Sequence, residues 1–349
     1  MKKPKANHTL EEILSQPRVW KTGLERYSIQ KGDKLPTPSA YEQLVFTGCG
    51  STYYLSIWAA RLAEMLYGIP SRAVPASDLI FFQDAWLHQG QHTLLTAVSR
   101  SAETSETLRA VEKFNSAGLG DTMAVTCYPD RQLATLCETV IGMSDGQEES
   151  IAQTRSFTSM MLGILLWLHE GAPGGVALRL EEAGSRLFRD YSELAEELGS
   201  EKGLDRFFFL GSGCFYGLAC EAMLKMKEIS LSNSEAFHFM EFRHGPKSMV
   251  NDRTLLAALL SEESSQQEVA VVREMRQLGA RTLVLTDTAN RDIEGVSDYL
   301  VPLQSSLPSP WRGPLFLPFL QYFALQKAFS KGLNPDKPKN LDAVVVLNV

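Results

Sequence analysis

Short apolar runs alternate with amphipathic segments along most of this chain, and the alternation predicts its architecture. Residues 44–46, 93–98 and 123–126 have the length and composition of strands, while 53–67 and 105–115 carry helical periodicity. Strands alternating with helices predict a parallel sheet wound through right-handed crossovers. Ahead of them, Thr9 followed by Glu12 has capping-box spacing, so a helix is expected from near Leu10 past Trp20. The Lys-Gly-Asp-Lys-Leu-Pro-Thr-Pro segment at 31–38 then breaks the pattern.

The second half repeats the order. VFTGCGSTYYLSIWAARLAEM (45–65) lies over FFLGSGCFYGLACEAMLKMKE (208–228), with Gly48 and Gly50 over Gly211 and Gly213 at an offset of 163. TLLTAV at Thr93 lies over TLLAAL at Thr254, and Gly118 over Gly279, both at an offset of 161. The expected fold is therefore α/β: two tandem doubly wound, flavodoxin-like parallel-sheet domains related by an internal repeat. The expected boundaries are an N-terminal helical arm at 1–40, a first domain at 41–174 and a connecting helix within 175–200. A second domain at 201–333 and a tail at 334–349, ending in the apolar AVVVLNV, complete the chain.

Composition narrows the function classes. The 349 residues are 44% hydrophobic and 21% charged, as in a globular protein with room for two cores. A net charge of -7 argues against a binder of nucleic-acid backbones. Five cysteines without a C-x-x-C pair suggest neither a disulfide framework nor a zinc site, so a reducing cytoplasm is the expected compartment. The opening MKKPKANHTLEE has no apolar core, so no secretory signal is expected there. The longest apolar run, 160–168, is too short to span a bilayer and reads as a buried helix.

Candidate chemistry gathers in two places. In the stretch 221–247, Lys225 and Glu228 are i,i+3 neighbours, and His244 follows in a turn enforced by Gly245 and Pro246. An ammonium, a carboxylate and an imidazole form an acid/base set if one substrate reaches them all. The repeat places their helix at the carboxyl edge of the second sheet, where ligands bind in such folds. In the first copy that edge carries Ser51 and Thr52 after a glycine turn, and the loop 99–104, Ser-Arg-Ser-Ala-Glu-Thr. Ser99, Ser101 and Thr104, at the start of a helix and beside Arg100, suit an anion. Plain helix capping explains the same residues about as well. The equivalent second-copy loop, Ser-Glu-Glu-Ser-Ser at 261–265, carries two carboxylates that would repel a phosphate. No P-loop or complete dinucleotide fingerprint is present, so a small phosphate is expected rather than a nucleotide.

These residues carry a family resemblance. GCGST (48–52), SRSAET (99–104), SIAQTRSFTSM (150–160), EAMLKMKEIS (221–230), EFRHGPKS (241–248) and NPDKPKNL (334–341), taken in order, resemble the tandem sugar isomerase (SIS) domain family. That family includes the isomerase half of glucosamine-6-phosphate synthase, amino-sugar-phosphate deaminases and tagatose-6-phosphate ketose/aldose isomerases. The resemblance implies that Ser99, Ser101, Thr104 and Thr52 hold a sugar phosphate, while backbone near Ile151 and the Gln153 side chain line the sugar. It implies Glu228 as the base between C1 and C2, His244 as the aid to ring opening and Lys225 as support for the intermediate. It also implies a homodimer in which the histidine loop comes from the neighbouring subunit. No metal, no redox cofactor, no nucleic acid and no membrane enter this expectation.

Three departures stand out. Only a short arm stands where the synthase carries its glutamine-hydrolysing domain, so a complete synthase is not expected. The synthase's tail lysine is replaced by Ala343, leaving Lys339 or His244 to open the ring. The usual serine of the sugar-lining loop is Gln153. The leading expectation is an amino-sugar-6-phosphate deaminase/isomerase working by 1,2-proton transfer, with Glu228 suited to the task if partial burial lifts its pKa. A deglycase for fructosamine-type phosphates, a simple ketose/aldose isomerase and a non-catalytic sugar-phosphate sensor are the alternatives.

Overall fold

The computed structural model describes residues 8–29, 35–88 and 90–342. Its contacts divide the chain into two units. One holds 18–149 and 155–177; the other holds 8–17, Ser150–Thr154 and Leu178–Leu341. The first helix, α1 (His8–Ile29), contains Pro17, and the division falls at that residue.

The first unit contains β1 (Gln43–Gly48), α2 (Ser51–Tyr67), β2 (Ser71–Pro75), α3 (Ala76–Phe81) and α4 (Gln83–Trp86). There follow β3 (Thr93–Val98), α5 (Ser105–Ala117), β4 (Gly120–Thr126), α6 (Gln132–Leu136), β5 (Thr139–Gly142) and α7 (Arg155–Leu168). Its five strands pair in parallel in the order β2-β1-β3-β4-β5. Val45, Leu95 and Ala124 of the sheet pack against Val111 and Phe114 of α5 in one apolar cluster.

The second unit contains α8 (Val176–Ser200) from Leu178 onward, β6 (Arg206–Gly211), α9 (Phe215–Ser230), β7 (Asn233–Phe237) and α10 (Phe239–Phe242). There follow β8 (Thr254–Leu259), α11 (Ser265–Gln277), β9 (Arg281–Thr286), α12 (Arg291–Glu294), β10 (Tyr299–Pro302) and α13 (Leu317–Ser330). The parallel order β10-β9-β8-β6-β7 is the first sheet's order over again, the flavodoxin-like 2-1-3-4-5 arrangement. Phe208, Leu256 and Val284 pack against Val272 and Met275 of α11. The α/β class, the parallel sheets and the duplication thus stand as the sequence implies.

The aligned glycines have a shared cause. A Cβ on Gly48 would stand 2.8 Å from the Thr52 backbone, and one on Gly211 would stand 2.4 Å from the Phe215 carbonyl oxygen. In each copy the strand end therefore meets the first turn of the next helix with no room for a side chain. Gly50 and Gly213 serve the turn itself, with φ of 57° and 56°. No helix among the described residues is long and apolar enough to cross a membrane.

Candidate active site

Helix α9 of the second unit carries a buried ion-pair stripe. Glu221, Lys225 and Glu228 follow one another at i, i+4 and i+7, so they line a single stripe of the helix. The Lys225 Nζ lies 3.3 Å from Glu221 Oε1 and bonds directly to Glu228 Oε2. Lys225 and Glu221 are fully buried, whereas the Glu228 side chain keeps 19% of its surface exposed. Burial alone would lower the lysine's pKa, but the two carboxylates outweigh it and the ammonium is held above its ordinary value. The result is a buried cation with one reachable carboxylate at its end.

The helix is not placed as the repeat suggested. Only its first turn stands at the carboxyl edge of the sheet; α9 runs antiparallel to the strands, so Lys225 and Glu228 lie in its last turns, toward the amino edge. His244 sits between α10 and a short 3-10 turn at Pro246–Met249. Gly245 has φ of 134° there, and Arg243 and Lys247 both bind the Glu274 carboxylate of α11, at 2.7 and 2.8 Å. That anchored loop leaves His244 exposed, and its ring has no hydrogen bond or ion pair among the described residues. Met240 and Met249 beside it are 45% and 50% exposed.

Ile151 and Gln153 belong to this same unit. Gln153 Oε1 is buried and has no partner among the described residues, which leaves a buried acceptor for a donor from elsewhere. Lys339 is exposed, and Ala343 lies outside the described residues.

In the first sheet's unit, Ser51, Thr52, Ser99, Arg100 and Ser101 are all buried, and Thr104 is half-buried. The loop is wired to itself: Ser99 Oγ accepts from Ala102 N at 3.2 Å, Ser101 Oγ accepts from Glu103 N at 3.2 Å, and Ala102 takes φ of 55°. Thr52 Oγ1 likewise exchanges 2.9 Å bonds with the Cys49 backbone. Arg100 is turned toward Glu148, 3.4 Å away, whose fully buried carboxylate also accepts from Ser156 N at the head of α7. The guanidinium's charge is thus countered, and Arg100 stiffens the loop more than it charges it.

The second-copy loop has its own anion already. The Glu268 carboxylate accepts from Ser261 N at 2.8 Å, Ser261 Oγ at 3.0 Å and Ser264 Oγ at 2.7 Å. Glu268 is the fourth residue of α11; the fourth of α5 is Leu108, so the first loop lacks a carboxylate at that helix position. Sequence reasoning passed over Glu268, Glu148 and Glu221. The last was legible from its i,i+4 spacing to Lys225, and Glu268 from its i,i+4 spacing to Ser264, whereas Glu148 meets Arg100 only through folding of the chain.

The SIS domain profile matches residues 40–169 and 203–327. The glutamine–fructose-6-phosphate aminotransferase (isomerizing) of Chlamydia caviae is 26% identical over 355 residues, covering 96% of this chain and 57% of that protein. The chain therefore spans little more than half the length of this relative. The crystal structure of glucosamine-6-phosphate deaminase from Thermotoga maritima is 26% identical and superposes with a TM-score of 0.77, covering 97% of this chain and 99% of that one. The tagatose-6-phosphate ketose/aldose isomerase structure from Escherichia coli superposes at a TM-score of 0.84 with 23% identity over 95% of each chain, a likeness of fold.

Proposed function

The chain belongs to the SIS domain family, and from that premise we propose that it is a phosphosugar isomerase/deaminase acting on an amino-sugar 6-phosphate. The observation that carries the reading is the Glu221–Lys225–Glu228 stripe, which offers one accessible carboxylate backed by a buried ammonium. The Thermotoga maritima deaminase, matched end to end at 26% identity, supports deamination as the outcome.

The steps follow from the residues. Ser99, Ser101, Thr104 and Thr52, with Ser51 and the braced Arg100, hold the phosphate of an open-chain amino sugar and so fix its orientation. His244 carries the ring-opening proton, a task suited to an imidazole. Glu228 removes the C2 proton beside the C1 aldehyde, giving an enolamine, and returns it to C1. The Lys225 ammonium stabilises the developing oxyanion. The C2 imine takes up water and releases ammonia, leaving the ketose 6-phosphate. Ile151 backbone and the Gln153 amide line the sugar.

We further propose a homodimer in which His244 serves the partner's site. Its exposure, its unengaged ring and the flanking methionines support that arrangement. The test of function is ammonia release by the purified protein from glucosamine, galactosamine and fructosamine 6-phosphates. Release from either of the first two is expected. Release from the fructosamine alone would make it a deglycase, and binding without turnover of any would make it a sensor.

A further inference from the structure

The first turns of α1 take no part in the chemistry above, yet they carry two of the most buried polar side chains, Glu12 at 1% and Gln16 at 0% exposure. Their partners lie far along the chain. The Glu12 carboxylate accepts the Ser150 backbone N–H at 3.2 Å and the Ser150 hydroxyl. Gln16 Nε2 donates to Gln321 Oε1 of α13 at 2.8 Å, and Gln321 Nε2 reaches the Thr154 carbonyl at 3.5 Å. One side chain thus holds the start of the 150–154 loop, and the other braces its end through a single intermediary. The first turn is itself pinned, because Thr9 donates from N and Oγ1 to Asp336 Oδ1 at 2.8 and 2.7 Å. The bracing helix α13 packs along α9, the helix of Lys225 and Glu228.

A buried carboxylate is costly unless its hydrogen bonds are made, and an apolar residue would pack this helix at less risk. Glu12 and Gln16 spend that cost on five residues that have no helix or strand of their own. We propose that Glu12 and Gln16 are positioning residues of the site, holding 150–154 in the conformation that presents the Ile151 backbone and the Gln153 amide to the sugar. The inference rests on the proposed sugar-lining role of that loop.

The test pairs a readout that needs no substrate with one that does. Amide hydrogen exchange of the peptide spanning 150–154 is compared between the wild-type chain, Glu12→Gln and Glu12→Ala, with β3 and β8 peptides as internal reference. Faster exchange confined to the loop is expected, larger in Glu12→Ala. On the sugar phosphate the wild-type protein turns over, kcat/KM is expected to fall about tenfold in Glu12→Ala, the effect of one buried hydrogen bond of ordinary strength. Glu12→Gln, which keeps one acceptor, should recover part of it. Unchanged loop exchange overturns the proposal, as does faster exchange with kcat/KM intact. Should the wild-type chain turn over no sugar phosphate, the functional reading fails separately. The same exchange data together with calorimetric binding of glucosamine 6-phosphate then decide the clamp, unchanged affinity counting against it.

Discussion

At the scale of single residues, Lys225 is the group whose removal should be felt most. Lys225→Met would leave Glu221 and Glu228 facing each other without a cation, and removing one partner of a buried ion pair costs about 3–5 kcal/mol. Urea unfolding is the measurement. The pH dependence has a definite sign. Because the folded pKa lies above the unfolded one, the pair's contribution is complete below about pH 10.4 and is lost only as pH rises through the higher folded value. The stability gap between wild type and Lys225→Met is therefore expected to stay level from about pH 6 to 9. A gap that closed in that window would mean a neutral lysine. The sequence announced Lys225 and Glu228 by spacing alone. It hid the roles of Thr9 and Glu12, whose capping-box spacing instead serves contacts with Asp336 and Ser150, more than a hundred residues away.

At the scale of elements, legibility followed burial. The inner strands β1, β3 and β8 are buried at every position and read as apolar runs. The outer strands β2, β5, β7 and β10 each bury a single residue, carry sequences such as Ser-Arg-Ala-Val-Pro and Asn-Ser-Glu-Ala-Phe, and gave no such signal. Glycine alignment was the stronger guide, because it records a steric fact. Gly48→Ala and Gly211→Ala are each expected to destabilise by about 1–3 kcal/mol through overpacking of the strand–helix junction, read again by urea unfolding. An alanine tolerated at both would mean the junction relaxes freely. The position of Glu228 within its helix was also missed, since a repeat places an element's start and leaves its far end to be counted along the helix.

At the scale of the whole molecule, the proposed homodimer draws Glu228 of each site from one chain and His244 from the other. Mixing Glu228→Gln chains with His244→Ala chains should then restore activity, to about a quarter of wild type, since half the random dimers are mixed and each has one intact site. If both groups came from one chain, every site would stay defective and mixing would restore nothing. The central claim, that Glu228 moves the proton between C2 and C1 of an amino-sugar phosphate, is tested most directly by proton NMR of glucosamine 6-phosphate in deuterated water. The wild-type chain is expected to give ketose 6-phosphate with solvent deuterium at C1, and Glu228→Gln to bind the sugar yet move no proton. Proton transfer by Glu228→Gln at the wild-type rate would contradict the account.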